Sequence, residues 1–296
     1  MTLLDSGDWS ALLFQPFIEF GFMRRALVAV VALSMGAAPL GCLLVLRRMS
    51  LVGDAMAHAL LPGAAIGYLM AGLSLTAMSM GGFVAALLVA LGAGAVTRRT
   101  GQREDASFAA FYLIALALGV LLISTHGSSV DLIHVLFGSV LAVDNAALVL
   151  VAAIASVTLL ALALLYRPLV VESFDATFLR SVDGPGALSH NVLLVLTVAN
   201  LVGGFQAMGT LMAVGLMMVP AIAARFWVRD LGPLALLAAL MAMVSGWIGL
   251  LLSFHADLPS GPAIVLVAGG FYAVSLLFGR HEGLLRRGFP LQAAWP

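Results

Sequence analysis

Lysine is absent from this chain, and all fourteen basic residues are arginine. A nucleotide-binding P-loop needs a lysine that reaches the phosphates, and a Schiff-base enzyme needs a lysine amine. Both classes are excluded by this absence. We therefore expect that this chain does not hydrolyse ATP by itself.

Cysteine and charge are also scarce. The single cysteine, Cys42, lies in an apolar run, so no intrachain disulfide can form. Charged residues make up only 9% of the chain and hydrophobic residues 62%, with a mean hydropathy of +1.12. This composition is typical of an integral membrane protein, and we expect lipid rather than nucleic acid to surround it.

Nine apolar runs predict an all-α, polytopic membrane protein with about eight or nine transmembrane helices. The runs lie at about 18–46, 55–71, 75–97, 106–124, 146–166, 190–206, 208–225, 232–253 and 260–279. Those that hold Pro62 and Pro220 are barely long enough to cross, so we expect short or broken helices there. The whole chain, 1–296, is predicted to form one membrane domain.

The arginines are distributed asymmetrically, which predicts the orientation. Twelve of the fourteen fall in one set of loops and at Arg225, and the exceptions are Arg24 and Arg25. These loops are 47–53, 98–105, 167–189, 226–231 and 280–296. Because positive residues near span ends stay in the cytoplasm, the loop 167–189 and the tail 280–296 are predicted to be cytoplasmic.

The N-terminal segment 1–17 has acidic residues but no basic residue. A secretory signal peptide begins with a positively charged region, so cleavage of this segment is not expected. Its aromatic residues Trp9, Phe14 and Phe17 suit the headgroup region. The segment is predicted to be an interfacial lead-in to the first span.

Asp54 and His58 are candidate ligands for a metal ion. They lie four residues apart at the start of an apolar run, so on a helix they share a face. Carboxylate oxygen with imidazole nitrogen suits zinc, manganese or ferrous iron. Two ligands are too few for tight binding, but a two-fold dimer would bring together two of each. In the alternative interpretation, Asp54 caps the helix and His58 bonds a backbone carbonyl.

The polar loop 172–186 interrupts the apolar runs on the predicted cytoplasmic side. Ser173 can cap a short helix whose residues Phe174, Phe178 and Val182 share one face, and Gly184-Pro185-Gly186 would end it. Such an amphipathic helix can dock into a groove of a soluble partner or lie on lipid headgroups. The sequence leaves both possibilities open.

Nearly the whole chain resembles, in order, the membrane-spanning permease subunits of bacterial ABC importers for zinc, manganese and iron. The matching segments are Pro39-Leu40-Gly41, Leu44-Val45-Leu46-Arg47-Arg48-Met49-Ser50, Gly53-Asp54, His58-Ala59, Asp131-Leu132, Leu136-Phe137-Gly138, Phe174-Asp175, Pro220-Ala221, Ala224-Arg225 and Pro259-Ser260-Gly261-Pro262. The resemblance implies a multi-pass protein of the bacterial inner membrane and alternating access driven by ATP. It also implies three partners: a second permease copy, cytoplasmic ATPase subunits and an extracytoplasmic metal-binding protein.

The resemblance further implies a role for each candidate site. Asp54 and His58 would be metal ligands in the translocation path, and the loop would couple to the ATPase. The coupling residues expected there are Ser173, Phe174, Asp175, Phe178, Leu179 and Arg180. No permanently bound cofactor is expected. Zinc is our first expectation for the transported metal and manganese the second.

Two other classes of protein remain to be separated from this one. A secondary transporter or channel would work without an ATPase and would need no docking helix. An intramembrane metalloenzyme would need a third ligand and a general base. The other five histidines are too dispersed in sequence to supply that third ligand, so an enzyme is not expected.

Overall fold

The computed structural model describes residues 9–72, 74–100, 102–125, 143–174, 186–281 and 283–285, and these residues contain eleven helices and no strand. The helices are α1 (Trp9–Glu19), α2 (Gly21–Leu46), α3 (Val52–Ala71), α4 (Leu75–Thr100), α5 (Glu104–Thr125), α6 (Asn145–Leu164), α7 (Tyr166–Phe174), α8 (Gly186–Met208), α9 (Thr210–Arg225), α10 (Leu231–Ala256) and α11 (Ser260–Phe278). The all-α prediction is confirmed.

Each of the nine predicted apolar runs corresponds to one of these helices. Seven are long and apolar enough to cross a membrane. The other two are α3, which has 20 residues but carries Asp54 and His58, and α9, which has 16 residues. The chain is therefore a polytopic helical membrane protein. The remaining helices, α1 and α7, are short.

The prolines do not break the two short segments. Helix α3 continues through Pro62 and α9 continues through Pro220, so both helices are unbroken, and the expectation of a short helix is met by α9 with its 16 residues. The interruption lies instead at Gly209, whose φ of 95° separates α8 from α9. Glycine adopts this backbone conformation without the steric cost that a side chain brings. The short length of α9 thus comes from a corner at Gly209.

Helix α2 is the hub of the bundle, since it packs against α6, α8, α9 and α10. Small residues allow the close approach. A Cβ atom at Gly41 would overlap the carbonyl oxygen of Met217 in α9, and one at Gly36 would lie 2.6 Å from Asn200 Oδ1 in α8. In lipid, helices associate through such van der Waals contacts, because hydrocarbon tails are as apolar as the side chains.

Helices α3, α4 and α5 form a second tightly packed unit. Gly63 in α3 and Gly81 in α4 face each other so closely that a Cβ on either one would overlap the backbone of the other. Gly119 in α5 lies against Pro62, with 2.9 Å between its hypothetical Cβ and the proline nitrogen. These contacts fix the position of α3 in the bundle.

Polar contacts gather at one end of the bundle. Arg47 pairs with Glu172 at 3.3 Å, and Arg98 donates to Asn191 Oδ1 at 2.9 Å. The backbone N–H of His281 donates to Phe226 O at 2.9 Å, so the last residues described return to this end. We call it the arginine-rich end; it carries the described arginines other than Arg24 and Arg25.

Helix α1 packs on the side of the bundle rather than standing apart. Its Phe14 ring lies 5.9 Å from Trp247, and Phe20, which follows α1, lies 5.4 Å from Phe254. Both partners belong to α10, so the two helices run in the same direction. The predicted lead-in is thus helical from Trp9 onward, and residues 1–8 lie outside the described part.

The substitution Gly63→Ala is expected to destabilise the bundle by about 1–3 kcal/mol, because its methyl group would force α3 and α4 apart. Thermal unfolding in detergent, followed by size-exclusion chromatography, measures the loss. Gly270→Ala in α11 is the matched control, since nothing lies within 4 Å of its hypothetical Cβ. Equal melting temperatures for the two variants would contradict the packing described here.

Candidate functional site

The candidate metal ligands lie in the first two turns of α3. The helix begins at Val52 because the preceding turn is already closed by backbone bonds, Met49 N–H to Leu44 O at 2.8 Å and Val52 N–H to Met49 O at 3.1 Å. Leu51 occupies the N-cap position and makes no side-chain cap. Asp54 therefore lies inside the helix, and the alternative in which it caps the helix is wrong.

Asp54 and His58 face each other across one helical turn. Asp54 Oδ1 and His58 Nε2 are 3.6 Å apart, which is too long for a good hydrogen bond. Two donor atoms each about 2.1 Å from a tetrahedrally coordinated ion would be separated by about 3.4 Å. The pair is thus spaced for one shared metal ion, with little movement of either side chain.

Both side chains are exposed, although their helix is mostly buried. The Asp54 side chain is 62% exposed and that of His58 is 42% exposed, while most of their neighbours from Val52 to Leu60 are buried. Further along α3, the exposed side chains are those of Ile66, Leu69 and Met70. A carboxylate facing lipid is costly, so this face must meet a water-filled cavity or a partner protein.

The pair is recessed from the arginine-rich end. Gly53 packs against the Met217 side chain, with 2.7 Å between its hypothetical Cβ and Cε. Met217 lies eight residues before Arg225, the last residue of α9, which corresponds to about 12 Å along that helix. Asp54 and His58 are therefore inside the helical layer rather than at its surface.

Tyr112 is part of the site and was missed in the sequence. Its ring, on α5, stacks with the His58 ring at a centroid distance of 6.3 Å and an interplanar angle of 28°. Such stacking restricts the rotation of the imidazole and keeps Nε2 toward Asp54. The tyrosine lies in an ordinary apolar run 54 positions away, and no spacing or motif in the sequence relates it to His58.

Within the described residues, the Asp54–His58 pair gains no third metal-ligating side chain. Among the residues that the structure describes, no group of three or more His, Cys, Asp or Glu side chains could hold a metal ion. Two other polar groups have structural partners. His255 Nδ1 lies 2.9 Å from Leu251 O, and Asp144 accepts from Ala147 N–H at 2.7 Å to cap α6. In the same described part, His58 has no hydrogen bond to a backbone carbonyl.

Two of the predicted coupling residues end α7. Ser173 was expected to begin a helix, but it lies in the last turn of α7, where its hydroxyl donates to Leu169 O at 2.6 Å. The capping prediction is therefore wrong. Phe174 is exposed at the end of the same helix. The other predicted coupling residues, Asp175, Phe178, Leu179 and Arg180, lie outside the described residues.

Comparisons with known proteins match the chain over almost its full length. Residues 19–279 match the family described as ABC 3 transport family. The manganese transport system membrane protein MntC of Halalkalibacterium halodurans is 31% identical over 275 residues, 93% of each chain. The chelated iron transport system membrane protein YfeD of Yersinia pestis is 31% identical over 277 residues, 94% of this chain and 92% of that protein.

A solved structure is also similar to this chain. PsaBC from Streptococcus pneumoniae in complex with Fab has a chain that superimposes with a TM-score of 0.80 at 28% identity. The match covers 95% of this chain and all of the other one. The helical arrangement described above is thus found in a known protein.

The conservative variants Asp54→Asn and His58→Gln are each expected to weaken binding of Mn²⁺ by at least about tenfold, because each removes a ligand atom from the metal. Since both side chains are exposed, the melting temperature is expected to stay within a few degrees. Isothermal titration of the purified protein with Mn²⁺ measures the affinity. His255→Gln is the control, and unchanged affinity in both site variants would rule out ligation by this pair.

Proposed function

Because this chain belongs to the ABC 3 transport family, we propose that it is the permease of an ATP-driven importer that carries a divalent transition metal into the cytoplasm. Members of this family are transporter permeases rather than catalytic enzymes. The observation that carries the proposal is the exposed Asp54–His58 pair inside the helical layer. Ionisable side chains are costly within a membrane, and binding of a transported metal ion would account for this pair.

The exposed face of α3 supports a paired permease. On the exposed side of α3, Leu69 lies close to His58 in angle around the helix, and Ile66 and Met70 are exposed further round. A second copy covering it would bury the apolar residues and keep the charged pair out of lipid. A two-fold axis near α3 would bring two carboxylates and two imidazoles together, which would make a four-ligand set from the two candidate ligands on each copy of α3.

Carboxylate and imidazole ligands accept several metals. The relatives reported above are named for manganese and for chelated iron. Zinc, our first expectation from the sequence, has no specific support from them. We therefore propose Mn²⁺ or Fe²⁺ as the transported ion and keep Zn²⁺ as the competing substrate in the assay, because ligand type alone does not set selectivity.

The arginine-rich end is proposed to face the cytoplasm and to receive the ATPase subunits. The positive-inside rule supports this orientation, and α7 leads from this end into the loop that contains Asp175, Phe178, Leu179 and Arg180. The extracytoplasmic metal-binding protein would then deliver the ion to the opposite end. Residues 173–180 are proposed as the segment that contacts the ATPase.

Transport would proceed by alternating access. Closure of the ATPase dimer on ATP would favour one arrangement of the helices, and its opening would favour the other. The Asp54–His58 pair would then face each side of the membrane in turn. Asp54 and His58 would hold a partly dehydrated ion between these states. Protonation of the imidazole occupies the nitrogen lone pair that would bind the metal, so acidification is expected to weaken metal binding.

The decisive experiment is uptake by proteoliposomes that contain this chain, its ATPase and its binding protein. Mn²⁺, Fe²⁺ and Zn²⁺ are offered separately, with and without ATP. We expect ATP-dependent uptake of Mn²⁺ or Fe²⁺. Uptake that needs no ATP would identify a secondary carrier or channel instead, and absence of uptake for all three ions would overturn the proposal.

The substitutions Asp54→Ala and His58→Ala are expected to reduce this uptake by at least about a hundredfold, because each removes one of the two ligands that the chain supplies. Assembly with the ATPase, measured by co-purification, is expected to be unchanged. Asp257→Asn and His255→Gln at the opposite end are matched controls with the same residue types. Normal uptake by both alanine variants would place the metal path elsewhere.

A further inference from the structure

A buried ion pair joins α7 to the turn between α2 and α3. Arg47 Nη2 lies 3.3 Å from Glu172 Oε2, and the two side chains are only 6% and 10% exposed. The same guanidinium donates from Nε to Ser173 Oγ at 3.0 Å and from Nη2 to Leu169 O at 3.4 Å. One arginine thus contacts three residues of α7, at positions i, i+3 and i+4, which share one helical face.

A short and compact turn connects Arg47 to the candidate metal ligands at the start of α3. Arg47 is the C-cap residue of α2, and its N–H donates to Leu43 O at 3.1 Å. The following residues form a compact turn in which Arg48 has a φ of 61° and Met49 is buried. Helix α3 begins at Val52, and Asp54 lies in its first turn. Asp54, the first candidate ligand, therefore lies only seven positions after Arg47 in the chain.

Helix α7 connects to the proposed ATPase contact. It ends at Phe174, and the predicted coupling residues follow directly in the chain. It is anchored in the bundle by Leu169, which is almost fully buried, and it packs mainly against α8. A displacement of α7 must therefore either carry the α2–α3 turn with it or separate a desolvated ion pair.

We propose that the Arg47–Glu172 pair is the strut that transmits movement of α7 to the metal-binding start of α3. Buried ion pairs often add little net stability, because desolvation offsets their attraction, but breaking one by removing a partner is strongly unfavourable. Such a pair suits the role of keeping two elements moving as one body. Arg47 and Glu172 are thus positioning residues, which act on the metal through Asp54. This inference rests on the proposed function, since it assumes an ATPase at this end.

The test separates transport from ATP hydrolysis in the reconstituted complex. For Arg47→Gln and Glu172→Gln, the number of Mn²⁺ ions imported per ATP hydrolysed is expected to fall by at least about tenfold, because either substitution removes the ion pair that ties α7 to the turn. Basal ATP hydrolysis and Mn²⁺ affinity are expected to stay within about twofold of the wild type. Unchanged coupling in both variants would overturn the proposal.

Arg48→Gln is the matched control. Arg48 lies in the same turn and carries the same charge, but it is exposed, so its loss leaves the strut intact. Coupling is expected to be normal in this variant. An equal loss of coupling in Arg48→Gln would attribute the effect to charge in the turn and would also overturn the proposal.

The exchange Arg47→Glu with Glu172→Arg is expected to restore part of the coupling, since it reinstates an ion pair between the same positions. The double variant Arg47→Gln/Glu172→Gln removes both charges of the pair and serves if a single variant does not assemble. It is expected to be uncoupled, and wild-type coupling in it would contradict the strut. If no variant assembles, the pair would have a role in assembly alone, and this result would also contradict the strut proposal.

A second readout does not use uptake. In the wild-type complex, trapping the ATPase with a non-hydrolysable ATP analogue is expected to change the affinity for Mn²⁺, and in Arg47→Gln this change is expected to disappear. A wild-type complex that imports no metal would refute the proposed function itself. A wild-type complex that imports metal while Arg47→Gln keeps its coupling would refute only the strut.

Discussion

A carboxylate and an imidazole in a hydrocarbon layer must face something other than lipid, and the rest of this structure follows from that constraint. Asp54 and His58 are exposed on a helix whose other early residues are buried, and they lie at the depth of Met217 rather than at the end of the bundle. An unpaired ionisable group at this depth costs several kcal/mol. The pair therefore requires a water-filled path, a partner protein or a bound cation.

Glycine packing holds this pair in place. Helix α3 cannot shift along α4 without separating Gly63 from Gly81, and it cannot move away from α5 without leaving the contact between Pro62 and Gly119. Tyr112 on α5 then stacks on His58, so the three-helix unit also orients the imidazole. The contacts that stabilise α3 are thus the ones that position Asp54 and His58, and a change in the position of α3 would move both side chains.

The arginine-rich end has a different physical character from the site. Its central contact is an ion pair removed from water, in which Arg47 holds one face of α7. Apolar contacts between helices are not directional, whereas a fork-shaped guanidinium fixes one geometry with its acceptors. In the proposed mechanism, this fixed geometry would carry a movement of α7 to the start of α3.

The sequence by itself determined the class of protein, the nine apolar segments and the shared face of Asp54 and His58. Hydropathy and the 3.6-residue period are local properties, so they can be recognised without the fold.

The tertiary structure decided the rest. The start of α3 at Val52 depends on how the preceding turn closes, and the corner at Gly209 rather than at a proline depends on packing between α8, α9 and α2. Tyr112 reaches His58 from another helix, and Arg47 meets Glu172 across 125 positions. Such contacts leave no periodic signal in the chain, because they arise only when helices distant in sequence are packed together.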